Sequence, residues 1–173
     1  MSDILLIYPN EDMESDVIDF KNEFFENNEK VINGSFKLDN EKYSYKEWLQ
    51  VIKNNLDKDK YNPKFGLSHT LFAIKTDGTI VGIINLRNTI TDFYKDSGHI
   101  GYSVRPKERN RGYATEMLKQ VIKIAKKEEL KEVYLVCKKN NEASRKTIYR
   151  NFGIFVRSFE KDMNEYEEYK IIL

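Results

Sequence analysis

The chain has 173 residues, 40% of them hydrophobic and 33% charged, which is enough for one domain with a sizeable core and a charged surface. Its 29 basic and 28 acidic side chains leave a formal net charge of +1, which argues against a nucleic acid as the main partner. The single cysteine, Cys137, excludes an internal disulfide, and its place at the end of an apolar run predicts a buried structural thiol. We therefore predict a single domain over residues 1–173.

The first third of the chain carries the signals of one strand and two helices. Ile4 to Tyr8 is a β-prone apolar run that is far too short to cross a bilayer. Because Asp3 precedes it and no positively charged leader is present, we expect a cytoplasmic protein without a membrane partner. Acidic residues from Glu11 and an apolar stripe to about Glu26 predict a helix. A second helix is predicted to start at Ser44, where Glu47 completes a capping box.

A β-hairpin and a further strand follow. Thr70 to Lys75 and Thr79 to Leu86 are apolar runs on either side of Asp77-Gly78, which is a strong turn signal. Ile100 to Val104 is the next β-prone run, and Pro106 ends it because proline has no N–H to donate to a ladder. These runs predict three consecutive antiparallel strands.

A basic loop and a long amphipathic helix come directly after the third of these strands. The loop runs from Lys107 to Arg111, and Gly112 opens the helix. The apolar residues of the helix recur at the spacing of one helical face: Ala114, Met117, Leu118, Val121, Ile122 and Ala125. The first N–H groups of a helix lack partners and its dipole is positive there, while Arg109 and Arg111 add donors suited to phosphate. The loop and helix start therefore predict an anion site.

The remainder of the chain predicts a strand, a helix and a closing hairpin. Val133 to Cys137 is a nearly continuous apolar run, as in a strand that is covered on both faces. A helix is predicted from Asn140 or Asn141 through Phe152. Ile154 to Glu160 and Tyr166 to Ile172 form the hairpin around a turn at 162–164. Helices interspersed with these strands indicate an α/β sandwich.

Three stretches of the chain resemble the signatures of one superfamily. Arg109 to Ala114 (RNRGYA) resembles the Arg/Gln-x-x-Gly-x-Gly/Ala pyrophosphate loop of the GNAT N-acetyltransferases. Tyr102 to Pro106 (YSVRP) resembles the end of that family's central strand. Asn141-x-x-Ser144 and Tyr149-x-x-x-Gly153 resemble its second signature. The resemblance implies an α/β fold with a GNAT-like mixed, mostly antiparallel, twisted sheet of about seven strands, with helices on both faces and a splay between the fourth and fifth strands.

The resemblance also implies acetyl-CoA as the acetyl donor. The central strand would flank the pantetheine arm, the basic loop would surround the pyrophosphate, and two residues would contact the cofactor from the opposite side. The residues implied are Tyr102, Ser103, Val104, Arg109, Asn110, Arg111, Gly112, Tyr113, Ala114, Thr115, Asn141 and Ser144. No metal ligand is predicted.

Catalytic residues are implied less completely. Tyr149 lies four residues before a glycine, as the family's tyrosine does, so its phenol would protonate the CoA thiolate. Some relatives have a glutamate as base near the start of the central strand, but 97–101 contains no carboxylate. His99 has a suitable ordinary pKa and is one candidate base; Asp92, Asp96 and ordered water are the others.

The expected function is transfer of the acetyl group of acetyl-CoA to a primary amine, by direct attack in a ternary complex. The acceptor is expected to be a small molecule or a peptide, and a homodimer is left open. A non-catalytic acyl-CoA-binding or sensor domain of the same fold is the alternative. A nucleic-acid-binding protein that uses the basic loop is disfavoured by the near-zero net charge.

Overall fold

The computed structural model describes residues 3–173, which form seven strands and four α-helices. The strands are β1 (Ile4–Ile7), β2 (Ser68–Lys75), β3 (Ile80–Arg87), β4 (Ile100–Val104), β5 (Glu132–Lys138), β6 (Ile154–Lys161) and β7 (Asn164–Ile172). The helices are α1 (Glu14–Glu26), α2 (Tyr45–Asn55), α3 (Tyr113–Lys127) and α4 (Glu142–Arg150). No helix among residues 3–173 is long and apolar enough to span a membrane.

The strands form two antiparallel sheets, in the orders β1-β2-β3-β4 and β5-β7-β6. The predicted hairpin turn joins β2 to β3, where Gly78 has a φ of 87° and its N–H donates to the Lys75 carbonyl at 2.9 Å. This positive φ explains why glycine follows Asp77 there. A second tight turn, at Asp162 and Met163, joins β6 to β7.

The two sheets diverge between β4 and β5. A single bridge joins Gly98 to Leu135, just before β4 begins, and the His99 N–H donates to the Tyr134 carbonyl at 2.7 Å. Beyond that point β4 has a ladder only with β3, and β5 has one only with β7. The predicted splay between the fourth and fifth strands is therefore confirmed.

The four helices cover opposite faces of the sheets. Buried side chains of α1 and α2 pack with Phe72 and Ile83, whereas those of α3 and α4 pack with Val81, Ile84 and Leu86. Since successive strand residues point to opposite faces, β3 is buried on both sides. These clusters confirm the predicted helices on both faces.

Helix boundaries follow local capping. The predicted capping box of α2 is present, with the Glu47 N–H donating to Ser44 Oγ and Glu47 Oε2 accepting from the Ser44 N–H. The predicted helix from Glu11 begins instead as a 3-10 turn over Glu11–Met13, capped by Asn10, and becomes α-helical at Glu14. The last helix was predicted to run through Phe152, but it ends at Arg150.

Candidate active site

A groove of about 920 Å³ occupies the gap between β4 and β5. Its walls are formed by β4, the loop before α3, the first turn of α3, the end of β5 and the inner side of α4. The predicted cofactor residues that line it are Tyr102, Ser103, Val104, Arg109, Asn110, Gly112, Tyr113, Ala114, Thr115, Asn141 and Ser144. Arg111, Tyr149 and His99 are not among its lining residues. Most of the predicted cofactor site is thus brought together in one place.

The N-terminus of α3 opens into this groove without a side-chain cap. Gly112 is the N-cap residue, has a φ of 82°, and offers no side chain to the first N–H groups of the helix. By contrast, Ser44 caps α2 and Asn141 caps α4. An added Cβ at Gly112 would meet no atom within 4 Å, so the space beside it is open. Uncapped N–H groups and the positive end of the dipole suit the pyrophosphate of a CoA molecule.

The arginines of the basic loop are held by carboxylates. Arg109 forms a two-point pair with Glu29, with both N–O distances at 2.7 Å, and donates to the Val104 carbonyl at 3.2 Å. That pairing lowers the pKa of Glu29, which itself lines the groove. Arg111 is exposed and does not line the groove. It pairs at 3.2 Å with Glu108, which does line it. Both arginines of the loop are therefore engaged by carboxylates in this conformation.

Replacing Glu29 with glutamine is expected to tighten acetyl-CoA binding about threefold to tenfold. The change removes a carboxylate that faces the pyrophosphate position and frees the Arg109 guanidinium to donate there. Calorimetric titration at low and high salt measures the effect, which should shrink as salt rises. Glu26→Gln, at an exposed position on α1 outside the groove, is the matched control. Weaker binding by Glu29→Gln alone would show that Glu29 positions Arg109 for the ligand.

Tyr102 lines the groove, as do Tyr113 and Tyr166. The Tyr102 hydroxyl lies 2.8 Å from Ser144 Oγ, and burial raises the pKa of Tyr102 to about 12. Asn141 caps α4 by accepting from the Ser144 N–H at 3.1 Å, so its side-chain oxygen is engaged in holding that helix start. Burial also raises the pKa of the Cys137 thiol, which fits the predicted structural role.

Tyr149 lies outside the groove. Half of its surface is exposed, and its ring packs edge-on against Tyr169 with a centroid distance of 5.3 Å. Helix α4 ends at Arg150, and the left-handed residue after it is Phe152, with a φ of 64°, and not Gly153. Gly153 instead fits against Ile148, whose Cγ2 would lie 2.2 Å from an added Cβ. The structure thus turns Ile148, rather than the tyrosine after it, towards the groove.

His99 joins the two sheets where they begin to diverge. Its Nδ1 accepts from the Tyr134 N–H at 3.0 Å, and its ring stacks on the Tyr134 ring with a centroid distance of 5.9 Å. The lone pair of the neutral ring is thereby occupied. Burial, reinforced by the charge of Arg87, lowers the pKa of His99. The structure therefore shows a buried neutral imidazole that links β4 to β5.

Two residues of the groove were missed by sequence reasoning or left among alternatives. Arg87, the last residue of β3, is buried and lines the groove on the side of α1 and α2. The sequence analysis did not single it out, although an arginine that ends a largely apolar strand is a signal that could have identified it. Asp96 also lines the groove and pairs with Lys161 at 3.2 Å, whereas Asp92 does not line it.

A gap between two strands, with an uncapped helix N-terminus beside it, is the site of a protein that binds an extended phosphate-bearing ligand. The model of the GNAT acetyltransferase domain matches residues 8–151. The chain belongs to the GNAT acetyltransferase family. Membership confirms the resemblance, the acetyltransferase class and acetyl-CoA as the acetyl donor.

Solved structures of acetyltransferases share the fold at low sequence identity. The microcin self-immunity acetyltransferase MccE, in complex with acetyl-CoA and AMP, is 18% identical over 100% of this chain and 94% of its own, with a TM-score of 0.73. A GNAT-family acetyltransferase from Streptococcus pneumoniae is 15% identical over 99% and 100%, with a TM-score of 0.71. A ribosomal-protein-alanine acetyltransferase from Vibrio fischeri is 19% identical over 98% and 91%, with a TM-score of 0.68. No curated protein matches the chain at a significant level of similarity.

Proposed function

We propose that this protein transfers the acetyl group of acetyl-CoA to a primary amine of a small molecule or peptide, by direct attack in a ternary complex. The observation that carries the proposal is the uncapped N-terminus of α3, which opens into the groove between β4 and β5. The similar structures include enzymes named for a microcin immunity function and for a ribosomal-protein alanine, which supports an amine acceptor.

The donor would be held mainly by main-chain groups. Acetyl-CoA supplies an acetyl group activated as a thioester. The first N–H groups of α3, at Tyr113 to Thr115, would bind the pyrophosphate. One edge of β4 pairs with β3, and the edge towards β5 carries no ladder over Tyr102 to Val104. An extended pantetheine arm can take the place of a strand along that free edge.

We propose that the hydroxyl of Tyr102 donates a hydrogen bond to the departing CoA thiolate. Tyr102 lines the groove, whereas Tyr149 packs against Tyr169 of β7 and is not among the lining residues. Its pKa of about 12 keeps the hydroxyl protonated at neutral pH, so it can donate a hydrogen bond and does not act as a base.

Asp96 is the side chain that we propose as proton acceptor for the amine. Among residues 3–173, three carboxylates line the groove, and Glu29 and Glu108 are paired with Arg109 and Arg111 beside α3. Asp96 lies instead in the loop before β4 and is paired with Lys161 of β6. His99 would act only as a positioning residue, because its Nδ1 lone pair is occupied.

Asp96→Asn is expected to lower kcat by about 10- to 100-fold while acetyl-CoA affinity stays within about twofold. The amide keeps the shape of the carboxylate and cannot take a proton. Steady-state CoA release over a range of pH, with calorimetry for the donor, measures both quantities. Asp92→Asn, at an exposed position outside the groove, should leave both unchanged. Equal activity of the two variants would leave ordered water as the proton acceptor.

A non-catalytic acyl-CoA-binding domain is the second candidate. It is favoured by one observation: the predicted histidine base and tyrosine acid both lie outside the groove lining. Calorimetric titration with acetyl-CoA, followed by a thiol-release assay over a panel of amines, distinguishes the two. Acceptor-dependent release supports the enzyme, and saturable binding without release from any acceptor supports the binding domain.

A further inference from the structure

Arg87 lines the groove at its proposed acceptor side, and its structural contacts do not use all of its hydrogen-bonding groups or balance its charge. Its main-chain N–H pairs with the His99 carbonyl across to β4, and its side chain shares the α1 and α2 side with Gly101 and Ser103. The guanidinium lies over the Tyr94 ring at 3.9 Å, and Nη1 donates to the Gly98 carbonyl at 2.9 Å. Both contacts orient the planar group without neutralising it.

The charge of Arg87 lacks a counterion within the described chain. Only 9% of the residue is exposed, and its Nε is buried without a hydrogen-bond partner in the protein. Arg105 and Arg157 differ, since each contacts a carboxylate within 2.7 Å. No ion pair among residues 3–173 involves Arg87, whose neighbours are a carbonyl and a ring. Burying an uncompensated charge is costly, so such a group points to a bound anion.

The Gly34 main-chain nitrogen lies near the Arg87 guanidinium. An added Cβ on Gly101 would lie 3.2 Å from the Gly34 main-chain nitrogen and 3.7 Å from Arg87 Nη2. Both glycines line the groove, and Gly34 has a φ of 79°. Its loop is fixed, because Trp48 Nε1 donates to the Ser35 carbonyl at 2.9 Å and Ser103 Oγ donates to the Asn33 carbonyl at 2.9 Å. Gly101 carries no side chain where the Gly34 backbone approaches it this closely, and the Gly34 nitrogen and Arg87 Nη2 lie on the same side of β4.

We propose that Arg87 is a specificity-determining residue, and that it binds a carboxylate which the acceptor carries close to its amine. A guanidinium can donate two parallel hydrogen bonds to one carboxylate, which a lysine cannot do. The acceptor class is therefore an amino-carboxylate, supplied either by a free amino acid or by an acidic residue near the amino end of a peptide. The inference rests on the proposed acetyltransferase function.

The test compares acceptors in matched pairs that differ only in charge. One pair is a free amino acid and its amide, and the other is a short peptide with aspartate or asparagine at its second position. For the unaltered protein, kcat/KM from CoA release is expected to favour the carboxylate member of at least one pair by tenfold or more. The pair that shows the preference identifies the source of the carboxylate.

Arg87→Gln is expected to reduce that preference to near unity, and Arg87→Lys to an intermediate value. A merely structural arginine would lower kcat/KM equally for both members of a pair and leave their ratio unchanged, which would overturn the inference. Arg87→Lys keeps the charge, so it serves if the glutamine variant fails to fold.

Calorimetry separates the two levels of the proposal. If the unaltered protein binds acetyl-CoA but neither acetylates nor binds the carboxylate acceptors in preference to their amides, the inference about Arg87 is overturned and the donor site stands. If it does not bind acetyl-CoA, the proposed function and the inference are both overturned.

Discussion

Replacing Gly112 with glutamate is expected to weaken acetyl-CoA binding at least 100-fold. The residue is the N-cap of α3, with a φ of 82°, and it lines the groove beside the uncapped N–H groups. A side chain there enters the space that the pyrophosphate requires, and its negative charge takes the place of the ligand at the positive end of the helix. A 100-fold loss corresponds to about 2.7 kcal/mol of binding free energy.

The chain offers a matched control for this change. Gly78 also has a positive φ, 87°, and open space around an added Cβ, but it lies in the β2–β3 turn, outside the groove. Gly78→Glu therefore imposes a similar backbone strain and the same charge without touching the donor site. Calorimetric titration and thermal unfolding of both variants separate lost binding from lost stability. Comparable affinity in the two variants would remove α3 from the donor site.

Local signals were enough to predict most of the elements. Ser44 with Glu47, and Asp77 with Gly78, act through contacts a few residues apart, so their structural outcome can be predicted from the sequence. The N-terminus of α3 was also predictable, because Gly112 follows a basic loop and precedes a regular apolar stripe. Gly112 and the start of α3 line the proposed donor side of the groove.

The direction of Tyr149 was not predictable from its spacing to Gly153. The spacing fixes the position of Tyr149 along α4, but the direction of its side chain depends on how the helix is turned against the sheet. In this fold the tyrosine meets Tyr169 of β7, while Ile148 faces the groove.

Contacts between residues that are far apart in the chain were also not predicted from the sequence. Arg109 was predicted to bind phosphate, yet Glu29, which is 80 positions away, holds it in this conformation. Arg87 could be identified as a candidate site residue only from the structure, which places the loop with Gly34 beside β4. Such contacts depend on the crossing of elements that no local pattern describes.

In the proposed site, strand alternation would separate the donor from the acceptor. Tyr102 packs with the core on the α3 and α4 side, where the pyrophosphate loop and Ser144 lie. Gly101 and Ser103 face the other side, with Arg87 and the loop around Gly34. Because β4 is short and pairs only with β3, we propose that both substrates reach its main chain along the free edge. This division explains why one strand serves both halves of the proposed site.

His99 is expected to make folding stability depend on pH through its link between the sheets. Its pKa is lowered by burial in the folded state, so the unfolded chain binds a proton more readily. The contribution of His99 to the free energy of unfolding is complete above its unfolded-state pKa of about 6.5. It is lost as the pH falls towards the lower folded-state pKa. His69, whose pKa burial also lowers, acts in the same direction.

His99→Asn places an amide oxygen where Nδ1 accepts from the Tyr134 N–H, and it does not titrate in this range. Urea unfolding at pH 7.5 and 5.5 should show a smaller loss of stability for this variant than for the unaltered protein. His99→Ala leaves the Tyr134 N–H without that acceptor and should cost about 1 kcal/mol or more at both pH values. His69→Asn measures the share of the second histidine. If His99→Asn retained the full pH dependence, the buried imidazole would have to titrate outside this range, and its link to β5 would contribute nothing to acid stability.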